Sequence, residues 1–106
     1  MTVNGTTLSM VRGDTERISV TPSVAFADGD IVTMTVRKDV ESTIELQKIV
    51  TEFDNGTAYI DITHEDTETM DFGAYVYDIQ VQWGASGAIK TLIKKSTFNL
   101  EEEVTY

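Results

Sequence analysis

The chain has 106 residues, and its 8 Lys and Arg against 18 Asp and Glu give a net charge of −10. Such a chain repels phosphate backbones and anionic membrane surfaces, so we expect no nucleic-acid or membrane binding. It has no Cys and one His, which excludes disulfides, thiol catalysis, and thiolate or His-rich metal sites. The length predicts one domain over residues 1–106, with a core at about 8–100 and a short acidic tail at 101–106.

Most of the chain consists of short runs in which apolar and polar residues alternate, the period of a half-buried strand. In chain order the clearest runs are residues 16–21, 31–37, 44–51, 57–63, 74–83 and 88–100. The apolar phase slips between Leu46 and Ile49, which predicts a bulge there. The last run should bend around residues 94–96. The shared phase predicts a core of Ile18, Val20, Val32, Met34, Val36, Ile60, Ile62, Tyr75, Tyr77, Ile79, Val81, Leu92 and Phe98.

Turn residues separate these runs. Asp-Gly at 28–29 and Asn-Gly at 55–56 suit hairpin loops because Gly and Asn tolerate positive φ, and residues 84–87 join the last two runs. One short helical turn is expected near residues 64–71, capped by Thr63 or Asp66. About seven strands in this length predict an all-β, antiparallel, immunoglobulin-like β-sandwich. A small closed barrel is the alternative.

The first 20 residues contain no apolar segment of the secretory type, and no stretch reaches the 18 apolar residues of a membrane span. We therefore expect synthesis in the cytoplasm without a signal peptide. A protein of this kind that works outside the cell would leave it by lysis or as part of a particle.

Four segments, in this order and spacing, resemble one phage family, and they lie at residues 11–15, 60–67, 73–81 and 91–98. The resemblance is to the N-terminal immunoglobulin-like domain of upper baseplate proteins of tailed phages of Gram-positive bacteria, and it covers about residues 8–100. It implies an adaptor that attaches a receptor-binding appendage to the tail hub. Members of that family usually continue into a coiled-coil or receptor-binding region, whereas this chain ends at residue 106. We therefore expect a stand-alone adaptor or a prophage remnant.

The resemblance implies a non-enzymatic structural protein of the phage tail, located in the virion. Its expected partners are other tail or baseplate proteins, with a homo-oligomer as a further possibility. No catalytic residue, cofactor or metal is expected. An exposed sheet edge could accept a strand of a partner. The uncharged N-terminal segment is the predicted docking edge, and it consists of Thr6, Thr7, Leu8, Ser9 and Met10.

A second hypothesis is a carbohydrate-binding β-sandwich that recognises sugar on the bacterial surface. Trp83 follows Tyr75 and Tyr77 on one face of the 74–83 run. Aromatic rings with polar tips serve at interfaces as well as in cores. Trp83 is thus a candidate platform for a sugar or for a protein partner.

Two further motifs have a structural and a functional interpretation. Arg12-Gly13-Asp14 spells the tripeptide that integrins bind, but it leads directly into a strand, which favours a turn. The densest acidic segment could hold Ca²⁺ through carboxylate oxygens, or it could be a solvated helical turn. That segment contains His64, Glu65, Asp66, Glu68 and Asp71.

Overall fold

The computed structural model describes residues 1–102, and it contains eight strands and one short helix in that part of the chain. The elements are β1 (Thr2–Asn4), β2 (Thr7–Val11), β3 (Glu16–Val20), β4 (Ile31–Arg37), β5 (Ile44–Val50), β6 (Ala58–Ile62), α1 (His64–Thr67), β7 (Gly73–Gln82) and β8 (Ile89–Glu101).

The strands form two sheets of unequal size. The larger sheet has six strands in the order β1-β2-β8-β7-β4-β5, and the smaller one consists of β3 and β6. This arrangement confirms the all-β immunoglobulin-like sandwich. It differs from the prediction in two respects: β1 is an additional strand, and β2 pairs with β8 in parallel while the other pairs are antiparallel.

The core lies between the two sheets. Val32, Met34 and Val36 of β4 and Ile60 and Ile62 of β6 are fully buried, which confirms their prediction from the alternating pattern. Of the other predicted core residues, Ile18 and Leu92 are only partly buried and pack at the margin of the core. Buried apolar residues outside that predicted set are Leu8, Met10, Phe26, Leu46, Ala58, Met70 and Leu100.

The irregularities of strand pairing lie only partly at the positions that the sequence predicts. In β5 the register shifts opposite Val36 and Arg37, so that Glu45 is the extra residue. The predicted bulge between Leu46 and Ile49 is wrong: Leu46 faces the core, Ile49 faces outward and the register between them is regular. In β8 the register shifts across residues 94–95, which confirms the predicted bend, and it shifts again at Leu92.

The helical turn is confirmed but is shorter than predicted. It spans His64–Thr67, and the Asp66 carboxylate accepts the Thr63 backbone N–H at 2.8 Å, which completes its N-terminal cap. Met70 packs into the core after it. The predicted tail is wrong at its first residue, because Glu101 pairs with Val11 as part of β8. Residues 103–106 lie outside the described part of the chain.

Ile79 provides a test of this core. It is 1% exposed and stands in the middle of β7, where it faces the smaller sheet. We expect Ile79→Ala to lower the free energy of unfolding by about 2–5 kcal/mol, because it removes buried apolar volume and leaves a cavity. Denaturant unfolding measures this value, with Gln80→Ala on the exposed side of the same strand as the control. Equal losses in the two variants would contradict the assignment of faces.

Candidate docking surfaces

The structure corrects the predicted docking edge at residues 6–10. β2 is an inner strand: it pairs with β8 on one side and, over Thr7 to Ser9, with β1 on the other. Leu8 and Met10 are buried side chains of the core. The backbone donors and acceptors of this segment are therefore engaged within the fold, and a partner strand has no free edge at Thr7 to Ser9. The segment is short of charge because it is internal.

Trp83 lies at the end of the sandwich formed by the loops 21–30, 51–57 and 83–88. Its ring stands 6.0 Å from that of Phe26, which in turn lies 5.0 Å from Phe53. Trp83 is half-buried against the core rather than displayed on a strand face. Its backbone also closes the β7–β8 turn through bonds with Gly87 and Ala88. The packing accounts for this Trp without a sugar or a partner.

A buried carboxylate ties two of these loops together. Asp30 accepts the backbone N–H of Gly84 at 2.9 Å through Oδ1 and that of Ala27 at 2.9 Å through Oδ2. These two bonds hold the pKa of Asp30 below its ordinary value. Gly29 and Gly84 approach so closely that a Cβ on Gly84 would stand 2.5 Å from the Gly29 carbonyl oxygen. The loop end is therefore a rigid structural feature.

The acidic turn does not gather its carboxylates into a site. Asp66 is engaged by the cap of α1 and by Lys48, whose Nζ lies 2.8 Å from its Oδ2. His64 stands 3.8 Å from Glu65 and 3.9 Å from Glu68, all three with exposed side chains. Within residues 1–102, no three carboxylate or imidazole groups come together as metal ligands would. The solvated-turn interpretation fits this arrangement.

The Arg12-Gly13-Asp14 segment is held against the fold. Arg12 donates to the Met70 carbonyl at 3.1 Å, and its guanidinium lies 4.4 Å from the centre of the Phe72 ring. The Gly13 backbone N–H donates to Thr67 Oγ1 at 2.9 Å. The tripeptide thus joins the start of β3 to the residues after α1, which supports the turn interpretation.

An extended surface within residues 1–102 is the outer face of the six-stranded sheet, the side away from β3 and β6. Because side chains alternate along a strand, the register assigns its members directly. We call this surface the outer face, and its central members are Thr33, Thr35, Arg37, Ile44, Gln47, Ile49, Val76, Asp78, Gln80, Gln82, Ile89, Thr91, Lys95 and Thr97.

The outer face is poor in charge although the chain is strongly acidic. Its central part carries Arg37, Asp78 and Lys95, while Glu101 lies on its rim. Its isoleucines are exposed, such as Ile49 with 60% exposure and Ile89 with 66%. Uncharged polar side chains fill most of the remaining positions. Depletion of charged residues is typical of the surfaces that proteins bury against one another.

A hollow of about 220 Å³ lies on the outer face around its single central carboxylate. Thr35, Arg37, Val76, Asp78 and Lys95 are among the residues that line it. Burial raises the pKa of Asp78 above its ordinary value, and the positive charge of Arg37 opposes this rise. The hollow therefore offers a partner one acceptor and two cationic side chains in close proximity. The sequence could have predicted this surface, because most of the outward positions of β4 and β7 are uncharged.

No helix in the part of the chain that the structure describes is both long and apolar enough to cross a bilayer. No protein-family model and no curated protein matches the chain. One solved structure to which it is similar shows the extracellular domains of the voltage-gated sodium channel β4 subunit, reported as parallel homodimers that explain a role in cell–cell adhesion. The match covers 98% of both chains at 14% identity and a TM-score of 0.49. A likeness of this degree carries no argument about function.

The Asp30 carboxylate makes stability depend on pH. A lowered pKa in the folded state means that its contribution is fully present above the ordinary carboxyl value and disappears as the pH falls through the lowered one. We expect the melting temperature of the wild type to exceed that of Asp30→Asn at about pH 7. This difference in melting temperature, the gap, should narrow toward about pH 3. Thermal unfolding at several pH values measures the gap. Asp28→Asn, at an exposed position of the same loop, is the control for removing a charge from this loop.

The contact between Gly29 and Gly84 supplies a second test. Gly84→Ala places a Cβ into the Gly29 carbonyl, so the loops must move apart and strain the Asp30 bonds. We expect a loss of about 1–3 kcal/mol in the free energy of unfolding. Denaturant titration measures it, and Ala85→Ser in the same exposed turn is the control. A neutral Gly84→Ala would show that the loop end is not tightly joined.

Proposed function

We propose that this chain is a non-enzymatic structural protein of a phage tail or baseplate, an adaptor that docks another virion protein on its outer face. The resemblance of residues 11–15, 60–67, 73–81 and 91–98 to phage upper baseplate domains supplies the class. The observation that supports docking is the charge-poor outer face of a chain with a net charge of −10.

The same charge distribution defines the chemistry of the partner. A central patch of Thr, Gln and Ile matches an uncharged surface of mixed polarity, because few charges have to be desolvated there. Around it the chain is acidic, so a partner with basic residues at the rim of its own patch would be drawn in by complementary potential. The partner is therefore a tail or baseplate protein with a neutral contact area surrounded by Lys and Arg.

The test is incorporation into virions. In a phage-producing strain that encodes the chain, gradient-purified particles are probed with an antibody to it, first with the wild type and then with variants supplied on a plasmid. Thr91→Glu places a carboxylate next to Gln80 on the outer face. We expect at least a tenfold loss of incorporation, since about 1.4 kcal/mol of binding free energy corresponds to tenfold. Thr69→Glu, equally exposed after α1, is the matched control.

Two outcomes would contradict the proposal. Absence of the wild-type chain from purified particles would refute the virion assignment, and equal incorporation of Thr91→Glu and Thr69→Glu would refute docking on the outer face. The carbohydrate-binding alternative has its own test, titration with purified bacterial wall polysaccharide. Saturable binding of that polysaccharide that is lost in Trp83→Ala would replace the adaptor hypothesis by sugar recognition.

A further inference from the structure

The two sheets of the sandwich meet along two seams, which are closed to different extents. On the side of β5 and β6, Lys48 points inward from the sheet edge and its Nζ binds the Asp66 carboxylate of α1 at 2.8 Å. On the opposite side, the Met1 ammonium binds the Glu16 carboxylate at the start of β3 at 2.6 Å, and beside this ion pair β3 faces β8 and β1 across an open groove of about 560 Å³. A cavity of this volume lies in the range of ligand pockets. The difference follows from the unequal sheets, because two strands cannot cover six.

The floor of the groove is apolar, and the charged groups in its lining are paired. Its floor is formed by side chains of the larger sheet, namely Leu8, Tyr77, Ile79, Leu92 and Ile93. One wall is β3 with Ile18 and Val20, and Val3 of β1 stands on the opposite rim. Arg17 is the charged side chain in this lining, and it is neutralised by Asp61, with Nε–Oδ1 at 2.7 Å and a second bond at 3.2 Å.

The wall of the groove is also an unpaired strand edge. Within residues 1–102, β3 pairs with β6 alone, so its other edge presents backbone donors and acceptors toward the groove. Edge strands are commonly blocked by bulges, inward charges or Pro. β5 has two of these devices, the bulge at Glu45 and the inward Lys48, whereas β3 runs regularly against β6 and directs Arg17 outward.

From these observations we infer that the groove binds an extended segment of a partner polypeptide, which adds as a strand to the free edge of β3. Backbone groups along one wall require donors and acceptors at strand spacing, which an extended peptide supplies and a lipid or small apolar molecule does not. Alternate side chains of the segment would point inward onto Ile18, Ile79 and Leu92. The five residues of β3 offer about 16 Å of edge at 3.3 Å per residue. This site is separate from the outer face, so it does not depend on the adaptor hypothesis.

A displayed library of random heptapeptides, selected on the full chain, provides the probe. We expect the enriched peptides to carry apolar residues at every second position. Their amide chemical-shift changes should map to β3 and the groove. Leu92→Lys introduces a charge into the floor and should weaken binding at least tenfold. Val3→Lys on the exposed rim is a second variant that leaves the core intact, and Ile49→Lys, at an exposed position of the outer face away from the groove, is the matched control, with unchanged affinity.

Three results would overturn the inference. The first is that the selection enriches no peptide that binds the wild type better than Leu92→Lys and Val3→Lys. The second is that the enriched peptides change the amide chemical shifts of β5 rather than those of β3. The third is a dimer in sedimentation that the selected peptides dissociate, since the occupant would then be a second copy of the chain. Melting temperatures of the variants, measured alongside, distinguish lost binding from lost folding, and Val3→Lys decides the question if Leu92→Lys unfolds.

Discussion

The fold depends on strand β7, which is paired along both of its sides. It pairs with β8 from Gly73 to Gln82 and with β4 from Val76 to Gln82, and every second side chain from Tyr75 to Val81 is buried. This constraint divides the molecule into two chemical environments. Inward positions must be apolar and fill the space beneath β3 and β6, while outward positions remain free for a surface of any composition.

The chain uses that freedom in a particular way. Several of its carboxylates have structural tasks away from the outer face: Asp30 joins two loops, Asp39 accepts the Glu41 N–H, Asp61 pairs with Arg17 and Asp66 caps α1. Hydrogen bonds to these groups favour the charged form, in agreement with their lowered pKa values. Acidity is thus concentrated in loops, turns and the smaller sheet. The outer face carries few charges at its centre, so a partner that binds there has to desolvate few charged groups.

Alternation made part of the fold predictable from sequence. β4, β6 and β7 each alternate cleanly, so their inward residues could be assigned without knowledge of their partners. The misassigned segment, residues 6–10, shows the limit of this reasoning. Whether a strand is internal depends on its neighbours, and here these are a three-residue strand with no periodic signal and a parallel strand some 90 positions away, as in Leu8 with Phe98. Ile49 shows the same limit, because an exposed isoleucine and a bulge both break the alternation of apolar and polar residues in the same way.

The groove was beyond sequence reasoning for a related reason. A free edge and an open seam are consequences of strand order. The sequences of β3 and of the segment around Leu92 do not differ from those expected in a sandwich with both seams closed. Once the order is known, the outer face and the groove turn out to lie on opposite sides of one strand. Thr91 of β8 belongs to the outer face, whereas Leu92 beside it lines the groove, because neighbouring side chains of a strand point to opposite faces. A strand added to β3 would leave the outer face uncovered, and a protein docked on the outer face would leave β3 free. The proposed adaptor would have to hold two partners at once, and the imbalance of six strands against two leaves the chain with the two separate surfaces that this role requires.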